Sequence, residues 1–243
     1  MGSSAWRPGQ ERPRRLHVST FVLSVVEGAP PSAAFVAGPD YGEPLPGFDA
    51  IEAAVVALRE GEFVVVLDDE DRENEGDLII AAEKVTEEKM AFLVRHSSGL
   101  VCVGMTAEDL ARLDLPLMVS DRRNEEAMYT AFTISVDAKA GTSTGISAAD
   151  RALTVRALAD PSSHPGDFNR PGHIFPLRAR PLGVIERPGH TEASVDLARL
   201  AGCAPCGVLC EVVDHSTGAM MRTAQLKAFA KEHGLKCITI RWG

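Results

Sequence analysis

A run of acidic residues between two apolar segments constrains the fold of this chain more than any other feature. Residues 68–77 read Asp-Asp-Glu-Asp-Arg-Glu-Asn-Glu-Gly-Asp, with seven carboxylates and one arginine. Carboxylates this close repel one another unless a metal ion or an arginine offsets their charge. The flanking segments, residues 63–67 and 78–82, are rich in β-branched and other apolar residues, which predicts a buried strand on each side. We therefore predict a loop that joins two strands and aims side chains at a cation or a substrate.

Two other interpretations can account for an acidic run of this kind. Charge runs are most often solvated surfaces or disordered tails, although the apolar segments on both sides argue against that here. A calcium-binding EF-hand loop starting at Asp71 would need a bidentate glutamate at its twelfth position, where this chain has Ala82. A valine-rich segment also precedes the run where an EF-hand has a helix. The calcium loop is therefore excluded, and the solvated surface stays as the competing interpretation.

The composition limits the class of protein and of partner. The chain has 243 residues, of which 45% are apolar, enough to bury the core of one soluble domain. Its net charge of −9 argues against nucleic acid as the main partner, because phosphate backbones are bound by clustered Lys and Arg. No apolar run approaches the length of a membrane span, so we predict no membrane partner. A local basic site for a small phosphate is still compatible with this charge.

The cysteines favour a reducing compartment over a disulfide scaffold, because their number is odd in a chain of this length. They are Cys102, Cys203, Cys206, Cys210 and Cys237. Cys203 and Cys206 form a CxxC pair that lacks a second pair at zinc-finger spacing and follows a predicted helix end, whereas a redox CxxC begins a helix. We interpret all five as core or loop thiols, with a redox or zinc role as the minor alternative.

We divide the chain into an N-terminal extension, residues 1–47, predicted to be flexible, and one domain, residues 48–243. The extension is rich in Pro, Gly, Ser and Ala, and before Glu27 it contains four arginines but only one acid, Glu11. Such an Arg-rich, acid-poor start resembles an organellar transit peptide, and an extension of the gene model would explain it equally well. The predicted location is cytoplasmic, or the plastid stroma if the extension is a transit peptide.

Hydrophobic periodicity within the domain predicts strands that alternate with helices. The predicted helices are residues 49–60, 86–96, 106–113, 148–159, 190–200 and 224–233, and the predicted strands are residues 63–67, 78–82, 100–105, 130–136, 207–213 and 235–242. Asp49 with Glu52, and Ser147 with Asp150, are predicted to form capping boxes at two helix starts. Because the first two strands form a hairpin and the others alternate with helices, we predict an α+β fold, a single-domain mixed β-sheet packed with helices.

Three further features suit a phosphate or a metal ion. Residues 141–147, Gly-Thr-Ser-Thr-Gly-Ile-Ser, precede a predicted helix, and backbone N–H groups and hydroxyls at a helix entrance can bind phosphate. His173 and His190 each follow a Pro-Gly pair, and a neutral histidine together with a carboxylate such as Glu73 forms a ligand set for Mg²⁺, Mn²⁺ or Zn²⁺. On spacing alone, a histidine is more often a capping or core residue, so both stay candidates.

These motifs together resemble the 3,4-dihydroxy-2-butanone 4-phosphate synthase family of riboflavin biosynthesis. The likeness rests on residues 69–77, 145–151, 170–177 and 189–193, in the family's order, and extends over roughly residues 48–240. It implies a magnesium-dependent lyase, with Mn²⁺ as a substitute, that converts ribulose 5-phosphate into 3,4-dihydroxy-2-butanone 4-phosphate and formate. It also implies the family's fold and a homodimer with its sites at the subunit interface.

The resemblance assigns roles to individual residues. Glu73 and His190 would bind the metal. The implied substrate-binding residues are Arg72, Glu73, Asp77, Thr144, Arg187, Pro188, Gly189, His190, Thr191 and Glu211. The catalytic candidates are His173, Glu211, Glu75, Asp77 and Cys102; of these, His173 and Glu211 match residues that the family treats as essential, and Cys102 matches a cysteine close to the site.

The implied reaction needs several proton transfers at neighbouring oxygens. Removal of the C3 proton of ribulose 5-phosphate gives an enediolate, whose charge a divalent metal can stabilise by several kcal/mol. Later steps lose water, shift the carbon skeleton, add water and expel formate, so one carboxylate does not suffice. We hypothesise that Glu211, which lies among apolar neighbours, is one of the acid/base groups.

Three alternatives compete with this interpretation. A metal-dependent sugar-phosphate aldolase or isomerase would use the same enediolate stabilisation but release no formate. A non-catalytic module could use the acidic loop only to hold a cation, although it gives no reason for Arg72, His173 and Arg187 to accompany the acids. The basic residues within 1–46 also permit nucleic-acid binding, which would depend on salt and be lost when that segment is deleted.

Overall fold

The computed structural model describes residues 43–240, so the predictions for residues 1–42 and 241–243 lie outside the described residues. The helices of the described part are α1 (Ile51–Arg59), α2 (Glu87–His96), α3 (Ala107–Arg112), α4 (Ala148–Ala159), α5 (His190–Leu200) and α6 (Thr223–His233). The strands are β1 (Val64–Leu67), β2 (Gly76–Ala81), β3 (Cys102–Met105), β4 (Val136–Ala138), β5 (Phe168–Arg178), β6 (Cys206–Glu211) and β7 (Lys236–Thr239). No helix among the described residues has the length and apolarity to cross a membrane.

The seven strands form one mixed sheet in the order β4-β5-β3-β6-β2-β1-β7. β1 pairs antiparallel with β2 and parallel with β7, while β3 pairs parallel with β5 and antiparallel with β6. The predicted α+β fold with a mixed sheet is therefore confirmed. The acidic run does connect two paired strands, and its last residue, Asp77, lies opposite Val66 of β1.

Helices cover both faces of the sheet, because alternate residues of each strand point to opposite sides. Val64 and Ile79 pack with α1 and α5 on one face, whereas Val65 and Ile80 pack with α2, α4 and α6 on the other. Asp77 lies two residues from Ile79 on β2, so its side chain points to the face covered by α1 and α5. The polar end of that face is where the candidate site lies.

Two glycines let α5 approach the sheet closely. Gly104 of β3 and Gly207 of β6 are register partners, and both lie beneath the first turns of α5. A Cβ added to Gly207 would lie 2.7 Å from the Ser194 carbonyl carbon and closer still to its oxygen. Because this neighbour is helix backbone, it cannot move without displacing α5, which also carries His190.

Gly207→Ala is therefore expected to lower the free energy of unfolding by about 2–3 kcal/mol, as overpacking of a tight interior does. Gly166→Ala is the matched control, because no atom lies within 4 Å of a Cβ added there. Urea unfolding of both variants measures the difference. Equal midpoints for the two variants would contradict the prediction.

The predicted strand 130–136 is wrong. Residues Phe132 and Thr133 make only isolated bridges, to Leu177 and Leu117, and the regular strand β4 starts at Val136. Thr133 lies beside Pro176 of β5, whose carbonyl accepts from both the Thr133 amide and hydroxyl. A proline has no N–H to return, so a ladder cannot continue at this position. The last strand is also shorter than predicted, ending at Thr239.

The capping predictions are partly wrong. Asp49 does not cap α1, whose N-cap is Ala50; its carboxylate instead accepts from the Cys237 amide and the Lys236 ammonium of β7. Ser147 does cap α4, through the Asp150 amide. The Asp150 carboxylate does not close the box, because it accepts from Ser143 and Gly145 and so folds the preceding loop onto the helix.

Candidate metal and substrate site

The Asp68 carboxylate organises the acidic loop from its inner side. Its Oδ1 accepts from the Glu75 amide at 2.9 Å, and its Oδ2 accepts from the Glu73 amide at 3.1 Å and from Arg72 Nη1 at 2.6 Å. Between these bonds Asn74 adopts a φ of 53°, in the left-handed region that asparagine tolerates better than most residues. The loop is therefore wrapped around a buried carboxylate, and the Arg72 guanidinium is shared between Asp68 and Glu73.

Ligand atoms from three residues converge beside this loop. One atom each of Asp68, Glu73 and His190 lies within 4.8 Å of the others. His190 Nε2 is 3.0 Å from the carbonyl oxygen of Val66, which can only accept, so Nε2 carries the proton and Nδ1 has the free lone pair. Burial lowers the pKa of His190 to about 4, which keeps the imidazole neutral at neutral pH. A neutral imidazole held by a backbone carbonyl is the form that binds a metal.

The donor set fits a hard divalent cation. Carboxylate oxygens and one imidazole nitrogen are ligands that Mg²⁺ and Mn²⁺ accept, and Mg²⁺ keeps several waters beside one or two protein ligands. Asp68, Glu73 and His190 could each offer a ligand atom, and Glu73 with His190 is the pair that the sequence predicts. Both oxygens of Asp68 already accept hydrogen bonds from the loop. Asp68 is therefore better placed to hold the ligand residues in position than to bind the ion itself.

Two acids, the buried Asp77 and the half-buried Glu211, stand next to this pair in the sheet. Asp77 of β2 and Glu211 of β6 are register partners, so their side chains share one face. Asp77 is only 3% exposed, its Oδ1 has no hydrogen-bond partner among the described residues, and the same oxygen lies 3.7 Å from His190 Nδ1. Burial, and next the neighbouring Glu211, raise the pKa of Asp77 well above its usual range. Burial likewise raises the pKa of Glu75. A carboxyl group with a raised pKa keeps its proton to higher pH, which suits a general acid/base group.

Two neighbours define the surroundings of Glu211. Ser98 donates its hydroxyl to Glu211 Oε2 at 2.6 Å, which fixes the carboxylate at the end of β6. Cys102 of β3 also lines the site, but burial raises the pKa of its thiol well above the usual range, with Glu211 adding to the effect. Cys102 is therefore a neutral thiol in the wall of the site, and not a thiolate base.

Arg187 and the start of α5 form a basic corner of the site. Arg187 Nη1 donates to Glu192 at 2.6 Å, Nη2 to the Thr130 hydroxyl at 3.0 Å, and Nε to the Met128 carbonyl at 3.1 Å. Glu192, only 1% exposed, is buried in the first turn of α5. This network points a planar cation toward the start of the helix, where Gly189 is the N-cap and Thr191 follows. Charge-assisted bonds and a helix N-terminus both suit an anionic ligand.

Many of these groups line one cavity of about 260 Å³. The sequence-predicted residues in its wall are Arg72, Glu73, Glu75, Asp77, Cys102, Arg187, His190, Thr191 and Glu211. The wall does not include Thr144, His173, Pro188 or Gly189, although a Cβ added to Gly189 would meet Arg72 and Arg187. Sequence reasoning missed Asp68, Glu126, Thr130 and Glu192. Asp68 adjoins the quoted motif of residues 69–77 and Glu192 lies within that of residues 189–193, whereas only the fold could bring Glu126 and Thr130 here.

His173 and Thr144 belong to a second polar cluster. His173 Nδ1 is 2.7 Å from Asp137 Oδ2, and its backbone amide donates to the other oxygen of the same carboxylate. Gly145 packs directly on this pair, which brings the loop that carries Thr144 to the same place. The His173 side chain is 43% exposed. The structure thus presents the histidine to the outside, held by an aspartate that the sequence analysis did not single out.

The chain is similar to known proteins over most of its length. A family model described as 3,4-dihydroxy-2-butanone 4-phosphate synthase matches residues 52–242. A protein of that name from Agrobacterium fabrum is 59% identical over 191 residues, which cover 79% of this chain and 88% of the relative. A solved structure described as this synthase in complex with two magnesium ions has 53% identity and a TM-score of 0.77, covering 79% of this chain and 94% of its own.

Plant relatives are longer. A probable bifunctional riboflavin biosynthesis protein, chloroplastic, from Oryza sativa subsp. japonica is 60% identical over 201 residues, or 83% of this chain. Those residues are 37% of the rice protein, so the chain spans well under half of that relative's length.

Proposed function

The chain belongs to the 3,4-dihydroxy-2-butanone 4-phosphate synthase family, and from this we propose that it carries out that synthesis in riboflavin biosynthesis. The proposed reaction converts ribulose 5-phosphate into 3,4-dihydroxy-2-butanone 4-phosphate and formate. The observation that carries the proposal is the cavity in which Glu73 and His190 Nδ1 meet the buried Asp77 and the half-buried Glu211. A non-catalytic cation module would have no use for a buried carboxyl group, Asp77, whose Oδ1 has no hydrogen-bond partner among the described residues, next to its ligands.

We propose that Glu73 and His190 hold Mg²⁺, with Mn²⁺ as a substitute. The family relative solved with two magnesium ions supports a magnesium role, and the hard donor set of this chain agrees with it. When bound, the ion would supply Lewis-acid stabilisation of the negative charge that develops on the sugar oxygens. Asp68 would keep Glu73 in place, and the Val66 carbonyl would keep His190 in the required tautomer.

The proton transfers would be carried by acids of the sheet. Asp77, protonated more readily than an ordinary aspartate, could give a proton to a substrate oxygen or take one from the C3 carbon. Glu211, oriented by the Ser98 hydroxyl, would act as a second acid/base group at Oε2, and Glu75 would be a third candidate. Several groups in one cavity meet the need of a reaction with several proton movements.

The phosphate of the substrate would lie at the basic corner. Arg187 still has N–H groups beyond those bound to Glu192, Thr130 and Met128, because a guanidinium has five donors. Thr191 and the backbone amides after Gly189 add neutral donors at the start of α5. Arg72 would help to orient the sugar, since it stands between Glu73 and Gly189.

We further propose a homodimer. His173 and Thr144 match family site residues, yet in this subunit they form the exposed second cluster and do not line the cavity. A dimer with its sites at the interface would let the partner's His173 and Thr144 complete the cavity of the first subunit. The Asp137 carboxylate would then serve to orient an imidazole that acts in the other subunit.

The proposed location depends on residues 1–47. The rice relative is described as chloroplastic, which supports the plastid stroma if this segment is a transit peptide. The cytoplasm is the location proposed otherwise. Import of a fluorescent fusion of residues 1–47 into isolated chloroplasts distinguishes the two.

Formate release from ribulose 5-phosphate is the direct test. With Mg²⁺ present we expect stoichiometric formate and a four-carbon phosphate, and with excess chelator we expect the release to stop and to return when Mg²⁺ is restored. Formate dehydrogenase coupled to NAD⁺ reduction measures the rate. Conversion of the sugar phosphate without formate would identify an aldolase or isomerase instead, and a folded, metal-loaded protein without any turnover would refute the proposal.

A further inference from the structure

We propose that Arg222 is a positioning residue that holds the acidic loop, and with it Glu73, in the conformation that meets His190. This inference rests on the proposed metal role of Glu73. Arg222 lies 149 residues along the chain from Glu73, immediately before α6. Among the described residues, Arg222 contacts the site only through the acidic loop, at the Glu73 and Asn74 carbonyls and at Glu75, whose Oε1 lies 3.7 Å from its Nη1.

Arg222 binds the acidic loop by hydrogen bonds to two backbone carbonyls. Its Nη1 donates to the Glu73 carbonyl oxygen at 2.8 Å and to the Asn74 carbonyl oxygen at 2.7 Å. The next residue, Thr223, donates its hydroxyl to the Asn74 side chain at 3.2 Å. The Gln225 side chain accepts from the Arg222 amide, which fixes the helix start that carries both contacts.

The loop needs support at this point. Asp68 accepts from the Glu73 and Glu75 amides, whereas the Glu73 and Asn74 carbonyls accept from Arg222. Asn74 has a φ of 53°, in the left-handed region, which is less favourable than the right-handed one for residues with a Cβ, although asparagine tolerates it better than most. Contacts on both sides of the loop therefore select this conformation over others, and the Glu73 side chain projects from its centre.

Electrostatics alone predicts the opposite effect on metal binding. Arg222 Nη1 lies 3.7 Å from Glu75 Oε1, so its positive charge repels a cation at the site, weakly because its side chain is 48% exposed. Removing the charge without any change in the loop would tighten metal binding. Losing a positioning contact would weaken it, as loss of groups that orient metal ligands does by about 10- to 100-fold. The direction of the change therefore separates the two roles.

The test is Mn²⁺ binding to the metal-free full chain, followed by the EPR signal of free Mn²⁺. Arg222→Met is expected to raise the Kd about tenfold or more, and Arg222→Lys, which keeps the charge and a donor, to recover part of the loss. The matched control is Arg156→Met, because Arg156 donates in the same way to one backbone carbonyl, that of Val85, on another helix. The control is expected to keep the wild-type Kd.

Activity adds a second measurement. Formate release by Arg222→Met is expected to need about tenfold more Mg²⁺ for half-maximal rate and to approach the wild-type rate at saturating Mg²⁺. An unchanged or lower Kd for Mn²⁺ in Arg222→Met would overturn the inference, and so would a wild-type chain that binds no Mn²⁺. A raised Kd in a chain that releases no formate would support the positioning role and refute the proposed reaction.

Discussion

Glu73→Gln is expected to lower formate release about 10²- to 10³-fold at saturating substrate. The glutamine keeps the shape of the side chain but loses the negative charge that would face the cation, and Lewis-acid stabilisation of several kcal/mol depends on that ion. Arg72 also loses an ion-pair partner while keeping Asp68, so the loop conformation is expected to persist. The same variant should show a raised Kd for Mn²⁺.

Glu70→Gln provides the matched control for Glu73→Gln. Glu70 lies in the same acidic loop, and the substitution removes the same charge, but its side chain is exposed and does not line the cavity. A general effect of loop charge would slow both variants alike. Wild-type formate release and Mn²⁺ affinity in Glu73→Gln would remove Glu73 from the metal site.

The parts of the fold and site that could be predicted from sequence depend on local signals. Two apolar runs around an acidic run predict a hairpin, because its strands are neighbours in the chain and its register is set by one loop. Glu73, Glu75 and Asp77 lie two residues apart in the sequence. This local spacing by itself brings three acids to the loop and to the adjoining strand end. The start of α5, with His190 and Thr191, is likewise a local feature of the segment after Pro188.

The remaining features arise from contacts between distant segments. Arg222 reaches the acidic loop across 149 residues, and Thr130 reaches Arg187 across 57. Neither pairing has a spacing that a sequence pattern can reveal. The failed strand at 130–136 has a similar cause, since the proline that interrupts its pairing belongs to β5. The sequence therefore predicts which residues belong to the site. It does not predict their hydrogen-bond partners, because the order of the strands in the sheet decides which distant segments meet.

Asp77→Asn is expected to lower formate release by about 10²-fold or more while it raises the stability of the metal-free protein. An amide cannot transfer protons as a carboxyl group does, and general acid/base steps contribute about 10²- to 10⁴-fold. One oxygen of the buried Asp77 carboxylate has no hydrogen-bond partner in the described part of the chain, and Glu211, Glu73 and Glu75 lie near, so folding it in the charged form is costly. The neutral amide avoids that cost, which should add about 1 kcal/mol or more to the free energy of unfolding.

The pH dependence of this stability difference has a definite sign. Since the pKa of Asp77 is raised by folding, the wild-type protein binds this proton more tightly when folded than when unfolded. The stability that the bound Asp77 proton contributes is complete below the unfolded pKa of about 3.9, and it is lost as the pH rises through the folded pKa. Urea unfolding in chelator should therefore show the advantage of Asp77→Asn growing from about pH 4 upward and then levelling off.

Glu211→Gln separates the loss of chemistry from the gain of stability. Glu211 is only half-buried and accepts a hydrogen bond from the Ser98 hydroxyl. Its replacement therefore removes a proposed acid/base group, but it does not remove the cost of burying an oxygen that lacks a hydrogen-bond partner. It is expected to slow formate release and to leave the free energy of unfolding unchanged or slightly lower. A stable, fully active Asp77→Asn would show that the buried carboxyl is not used, whereas an inactive and less stable one would show that its ionised form supports the fold. A lower rate of formate release together with a higher free energy of unfolding, in Asp77→Asn alone, would indicate that catalysis uses this carboxyl group at a cost in stability.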